Sequence, residues 1–107
     1  MSGHYILRDK LPTEVDVLEY WRWRQENKHK DPYRIARDEL ADGRVVSTVF
    51  LGCNVSEYRV DQPPIWFETA VIKPDGVHED ETRYSTYDEA IAGHAETLKR
   101  VNEANAT

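Results

Sequence analysis

Apolar residues follow helical spacing near the start of the chain, form strand-like runs in its middle, and return to helical spacing near its end. Thr13 is a candidate N-cap followed by apolar residues at three-residue intervals, which predicts a helix over 14–26. Pro32 marks the end of that segment because proline cannot continue a helix. A short strand over 4–7 precedes it. The apolar positions on which this helix prediction depends are Val15, Leu18 and Trp21.

Four strand-like runs follow this helix. Asp42-Gly43 separates the first two, and this pair favours a hairpin turn because both positions tolerate positive φ. A further turn is predicted in "KPDGVHED". Short connections join neighbouring strands, so the runs predict an antiparallel meander. The predicted strands cover 33–40, 44–52, 65–72 and the short segment 81–85.

A second helix is predicted from Thr86 to about residue 103. Thr86 and Glu89 have the spacing of a capping box. Gly93 lets a neighbouring strand approach closely, and His94 falls in the middle of the apolar face. That face comprises Tyr87, Ile91, His94, Leu98 and Val101. The chain is thus predicted to be a single α+β domain over 1–107, an antiparallel meander of about four strands with an N-terminal and a C-terminal helix packed on the sheet.

Charge and composition narrow the function classes. The 107 residues carry a formal net charge of −6, which opposes binding to duplex nucleic acid. Cys53 is the only cysteine, so an internal disulfide is excluded and the reducing cytoplasm is the expected location. No apolar stretch approaches the roughly 20 residues that span a bilayer, so neither a membrane segment nor an export signal is expected.

His94 and Glu68 are the residues most open to a catalytic or ligand-binding interpretation. A buried neutral histidine with both ring nitrogens hydrogen-bonded is an ordinary core residue, which is the preferred interpretation of His94. Alternation along the strand places Glu68 on the other face from Phe67 and Thr69. Its carboxylate is expected to be exposed or paired, with Arg83, Tyr84 or His94 as candidate partners. The alternatives are a small-ligand or nucleotide pocket lined by Trp66, Glu68, Arg83 and His94, and a hydrolase that uses Glu68 and His94 as acid and base.

Metal and cofactor chemistry are not predicted. The four histidines show no close ligand spacing, and "HEDE" at 78–81 lacks the second histidine of a zincin helix. Cys53 has no adjacent basic residue to activate it, so a structural thiol is expected. No cofactor, metal site or catalytic residue is therefore assigned.

The first helix offers the most suggestive surface. If Trp21 faces the sheet, Trp23 is rotated by about 200° and points away from it. An outward tryptophan between Arg22 and Arg24 is typical of an interface hot spot, and the alternative is that the N-terminal segment or the long loop folds over Trp23. With Tyr58 in the long loop 53–64, these residues form the predicted partner-binding surface, which is also compatible with a homodimer.

The stretches that carry a resemblance are "HYIL" (4–7), "LEYWRW" (18–23), "VSTVFLG" (46–52), "WFETAVI" (66–72) and "RYSTYDEAIAGH" (83–94). Through them the chain resembles a group of small, mostly uncharacterised proteins encoded by bacteriophages and prophages. It departs from them in the loop 53–64, which lacks their Asp-His and glycine-rich pieces. The resemblance implies an accessory protein in an infected bacterial cytoplasm that engages or inhibits a host protein such as a defence component, without catalysis.

Overall fold

The computed structural model describes residues 4–55, 61 and 63–105. The first elements are strand β1 (His4–Arg8), strand β2 (Leu11–Val15) and helix α1 (Val17–Glu26), followed by strands β3 (Arg34–Glu39), β4 (Val45–Phe50), β5 (Phe67–Ile72) and β6 (His78–Tyr84) and helix α2 (Tyr87–Asn105). β1 and β2 form an antiparallel hairpin, and β3 to β6 form an antiparallel sheet in sequence order. The predicted α+β class and four-stranded meander are confirmed, whereas β2 and its hairpin were not predicted.

The β3–β4 and β5–β6 hairpins close in the same way. The Leu40 N–H donates to the Arg44 carbonyl at 2.7 Å, which leaves a three-residue loop with Gly43 last. The segment 73–77 repeats this arrangement with Gly76 in the same position. The two glycines have φ of 91° and 88°, and such left-handed backbone is accessible to glycine without a steric penalty. The Asp-Gly turn is therefore confirmed, in a three-residue rather than a two-residue loop.

Helix α2 lies across one face of the four-stranded sheet, called here the covered face. Valines and phenylalanines of β4 and β5 form two apolar clusters there, and Tyr5 and Leu7 of the β1–β2 hairpin pack on the phenylalanine cluster. The other side, called the second face, carries the alternate residues of the same strands, including Glu68. The covered face pairs Val46 with Val71, Thr48 with Thr69 and Phe50 with Phe67.

The start of α2 is as predicted, but its buried stripe differs. The Glu89 N–H donates to Thr86 Oγ1 at 3.1 Å and the Glu89 carboxylate accepts from the Thr86 N–H at 3.0 Å, which confirms the capping box. Ile91 is exposed rather than buried. Small Ala90 takes the contact with the phenylalanine cluster, because a short side chain lets the helix approach the sheet. Within 87–103, the part of α2 whose burial is described, the buried residues are Ala90, His94, Thr97 and Val101.

Gly93 permits the close approach between α2 and β6 that its position predicts. The Tyr84 ring lies against the Gly93 backbone, and a Cβ at this position would overlap the Tyr84 hydroxyl and ring. The Tyr84 hydroxyl is buried and has no hydrogen-bond partner among the described residues. Glycine is therefore required by packing here.

The first helix begins later than predicted. Thr13 is not its N-cap but lies in β2, where it pairs with Ile6 of β1. Asp16 takes the capping role, and its carboxylate accepts from the Glu19 N–H at 2.8 Å. Both residues are good caps by local rules, so strand pairing with β1 decides between them. Among the described residues, neither helix is long and apolar enough to cross a membrane.

Candidate functional site

Helix α1 presents its large apolar residues to solvent. Leu18 is 71% exposed and Trp21 is 52% exposed. None of the ten residues of α1, all within the described ranges, is buried. Leu18 and Trp21 are three positions apart and therefore share one side of the helix. This orientation reverses the prediction, which placed them against the sheet and Trp23 outward.

The side of α1 that faces the rest of the molecule is aromatic with polar tips. Trp23 is half-buried and meets the Tyr33 ring edge-on, with 5.5 Å between centroids. The Tyr20 and Tyr33 hydroxyls are 2.7 Å apart. Burial, together with this hydrogen bond, raises the pKa of Tyr33 to about 12. Tyr33 in turn stacks on Phe50 of the core at 6.1 Å, so these rings attach α1 to the sheet.

A cleft of about 350 Å³ opens between the C-terminal half of α1 and the segment that follows it. Trp21 and Tyr33 contribute aromatic walls. The Arg24 guanidinium lies over the Trp21 ring, 5.3 Å from its centroid, in a cation–π arrangement. The charged residues that line the cleft are Arg24, Lys28, Lys30 and Asp31, which leaves an excess of positive charge.

The residues predicted for partner binding are divided between two places. Arg24 belongs to the cleft beside Trp21. Arg22 and Trp23 instead line a smaller cleft of about 270 Å³ between α1 and β1. Tyr58 lies outside the described residues, as do 56–60 and 62 of the predicted loop. The exposed tryptophan of α1 is therefore Trp21, and the predicted surface shifts by two positions along the helix.

His94 lies at the centre of a hydrogen-bonded chain between α2 and the sheet. It is 6% exposed, its Nδ1 is 2.7 Å from Thr48 Oγ1, and its Nε2 is 2.7 Å from an Asp38 carboxylate oxygen. Thr48 Oγ1 is also 2.5 Å from Thr69 Oγ1. With the imidazole neutral, each hydroxyl donates to the next group and Nε2–H donates to Asp38, so the buried polar groups are satisfied.

The order carboxylate, imidazole and hydroxyl is that of hydrolase triads. A nucleophile must reach its substrate, whereas Thr48 is 0% exposed and its hydroxyl is already shared with Thr69. The arrangement therefore links β3, β4 and β5 to α2 as a structural network. His94 is the satisfied core residue that the sequence predicts.

Glu68 and His94 lie on opposite faces of the sheet. Glu68 is directly opposite Arg83 on the neighbouring strand and accepts from its Nε at 3.0 Å, as predicted for a paired carboxylate. Trp66 precedes β5 and packs against the β1–β2 hairpin, with 4.7 Å between its ring centroid and that of Tyr5. Trp66, Glu68, Arg83 and His94 therefore do not line one pocket, and an acid–base pair of Glu68 with His94 is excluded by geometry.

The second face brings together three residues that sequence spacing did not connect. Ligand atoms of Glu68, His78 and Glu81 all lie within 4.8 Å of one another. Glu68 comes from β5 and the other two from β6, so the grouping depends on strand register. The "HEDE" segment contains two of the three, but the third is ten residues from its nearest member in sequence.

Comparison of the chain with protein-family models, curated proteins and solved structures finds no match. The resemblance to phage-encoded proteins stays a prediction.

Proposed function

We propose that this protein acts by binding another protein through the α1 surface, which comprises Leu18, Trp21, Arg24, Lys28 and the adjoining cleft. The exposure of Leu18 and Trp21 on a helix without buried residues is the observation that carries the proposal. Exposed apolar residues grouped on one side of an element mark interaction sites, and tryptophan and arginine are enriched among residues that dominate binding energy. Catalysis is not part of this function.

Charge favours an acidic partner segment. Residues 20–30 contain four basic residues and one acidic residue, a formal charge of +3 in a chain of −6. A local positive surface on an acidic protein attracts acidic segments and repels basic ones. An apolar anchor of the partner would pack on Leu18 and Trp21, and its carboxylates would meet Arg24 and Lys28. The occupant we propose is therefore an acidic segment with an apolar or aromatic anchor.

The resemblance to phage-encoded accessory proteins supports a bacterial host protein as the source of that segment. Occupying the segment inhibits the host protein where that segment normally contacts another partner, because the bound interface excludes that partner. A defence component in the bacterial cytoplasm is the partner class that the resemblance favours. A second copy of this chain is the competing occupant of the same surface.

Titration calorimetry with two peptide sets tests the proposal. Both sets carry the same Leu, Phe and Trp anchors, flanked by Asp and Glu in one set and by Lys in the other. The acidic set should bind the wild type, and Trp21→Ala should weaken it at least tenfold, about 1.4 kcal/mol. Added salt should weaken binding of the acidic set, because the contribution of Arg24 and Lys28 is screened.

Ile91→Ala is the matched control, since Ile91 is an exposed aliphatic residue on the other helix. It should leave peptide binding unchanged. A bacterial protein captured by the wild type counts as the partner only if the acidic peptide displaces it and Trp21→Ala abolishes capture. Equal binding of both peptide sets, or a concentration-dependent dimer lost with Trp21→Ala, would contradict the acidic-partner proposal.

A further inference from the structure

We propose that the second face of the sheet holds a divalent-cation site, with His78, Glu81 and Glu68 as ligands and zinc as the cation that fits best. The site is separate from the α1 surface and independent of the proposed protein binding. It combines an imidazole with two carboxylates drawn from two strands.

A β-bulge places His78 on this face. Residues three apart on a regular strand point to opposite faces, so His78 and Glu81 would normally diverge. The register shifts between Val71 and Ile72, and His78 lies directly opposite Ile72 while Glu81 lies opposite Ala70. Both therefore share the face of Glu68. Bulges redirect side chains in this way and are over-represented next to functional sites.

The extra residue of the bulge does not compete for the cation. Glu79 pairs with Arg44, whose guanidinium donates to its carboxylate at 2.6 Å. This hydrogen bond and a second one to Asp42 raise the pKa of Arg44, which stays charged. Within the acidic run of β6, Glu79 thus pairs with Arg44 and Asp80 pairs with Arg100 of α2, whereas Glu81 faces Glu68.

The donor set suits zinc in number, type and spacing. His78 Nδ1 is 3.1 Å from Glu81 Oε2, and ligand atoms of all three residues lie within 4.8 Å. Tetrahedral zinc with bonds of about 2.0 Å holds its ligand atoms about 3.3 Å apart. His78 and Glu81 are each 45% exposed, so small side-chain rotations close the remaining gap. An imidazole nitrogen also favours zinc over magnesium or calcium, which prefer oxygen ligands.

Glu68 supplies the ordered ligand. Only 12% of its side chain is exposed, and Arg83 binds one of its two carboxylate oxygens. Ligating carboxylates are commonly oriented by such hydrogen bonds. Three protein ligands leave a fourth coordination position for water, so the site has the open form seen in catalytic zinc centres.

Zinc titration of the chelator-treated full chain by calorimetry tests the site. The wild type should bind one zinc ion per chain, and His78→Asn and Glu81→Gln should each weaken binding at least tenfold. The imidazole resonances of His78 should shift on zinc addition in nuclear magnetic resonance spectra. Both substitutions are on exposed residues, so thermal unfolding without zinc should change little.

Two control variants separate this site from incidental metal binding. His29→Asn removes an exposed imidazole elsewhere, and Cys53→Ser removes the exposed thiol; neither should change zinc affinity. The proposal is overturned if the wild type binds no zinc, if His78→Asn binds as tightly as the wild type, or if His29→Asn or Cys53→Ser abolishes binding.

Discussion

The two helices of this protein use their side chains in opposite ways. Among residues 87–103 of α2, whose burial is described, four are buried against the covered face, whereas α1 runs over ten residues and buries none. α2 is attached by two apolar clusters and the His94 network. α1 is attached mainly by the rings of Tyr20 and Trp23.

This difference indicates which helix serves the fold and which is available to a partner. An isolated helix of fewer than about 12 residues is marginal in water, so α1 depends on its cap and its few tertiary contacts. Those contacts come mainly from Tyr20 and Trp23 and leave Leu18 and Trp21 exposed to solvent. Apolar residues that contribute nothing to folding are costly for solubility, which is why their exposure favours a binding role.

The largest difference in the free energy of unfolding is expected between an alanine substitution in the core and one on α1. Phe50→Ala removes a 1%-exposed ring at the centre of the phenylalanine cluster and should lower the free energy of unfolding by about 3–5 kcal/mol. Leu18→Ala removes an exposed side chain and should change it by less than about 0.5 kcal/mol. Urea denaturation followed by circular dichroism measures both. A loss above about 1 kcal/mol for Leu18→Ala would mean that α1 packs on the fold more than its exposure shows.

Breaking the polar network of α2 should have the next largest effect. His94→Leu replaces the imidazole with an apolar side chain and leaves Thr48 without its imidazole partner. We therefore expect the free energy of unfolding to fall by about 1–3 kcal/mol. Asp38 lies on the edge strand, and about half of its side chain is already exposed to water. Asp38→Asn should therefore cost less. An equal loss for the two variants in denaturation experiments would contradict a network centred on the buried side of His94.

Local rules predicted the α2 side of the molecule well. The Thr86–Glu89 capping box and the Asp-Gly turn depend on neighbours within a few residues, and both are present. Strand alternation also separated Glu68 from Phe67 and Thr69 correctly. These features are set by short-range hydrogen bonds and by the two-residue period of a strand, which a sequence displays directly.

The α1 side could not be predicted because long-range contacts decide it. Leu18 and Trp21 have the spacing of a buried stripe. The Tyr20 hydroxyl, however, pairs with Tyr33, thirteen residues away, and the side of α1 that carries Tyr20 faces the rest of the molecule instead. The position of the β6 bulge is equally hidden, since nothing in "HEDE" states which residue is left unpaired. The zinc ligands therefore emerge only from the register.

Gly93 and Tyr84 test how closely α2 must approach the sheet. Alanine favours a helix by about 1 kcal/mol over glycine, yet Gly93→Ala should destabilise the protein by about 1–3 kcal/mol because its Cβ overlaps the Tyr84 ring. In a Tyr84→Ala background the same change should become neutral or stabilising. The double-mutant cycle measures this reversal of sign. If Gly93→Ala costs the same in both backgrounds, the Tyr84 contact is not its cause.

The smallest expected effect concerns the polar attachment of α1. Tyr20→Phe removes one hydroxyl pair and should cost at most about 1 kcal/mol near neutral pH. The pKa of Tyr33, raised from 10.0 to about 12 by burial and by Tyr20, should fall in this variant but stay above 10.0 because burial remains. A raised pKa contributes stability that is complete below pH 10 and is lost as the pH rises towards about 12, so wild-type stability should decline over that range. The decline of the variant should begin at the same pH, which the unfolded chain sets, but should end at lower pH and be smaller. Ultraviolet titration of tyrosinate absorbance, with Tyr87→Phe as the control hydroxyl, measures the shift. An unchanged Tyr33 titration in Tyr20→Phe would show that the two hydroxyls do not share a hydrogen bond and that α1 is attached without it.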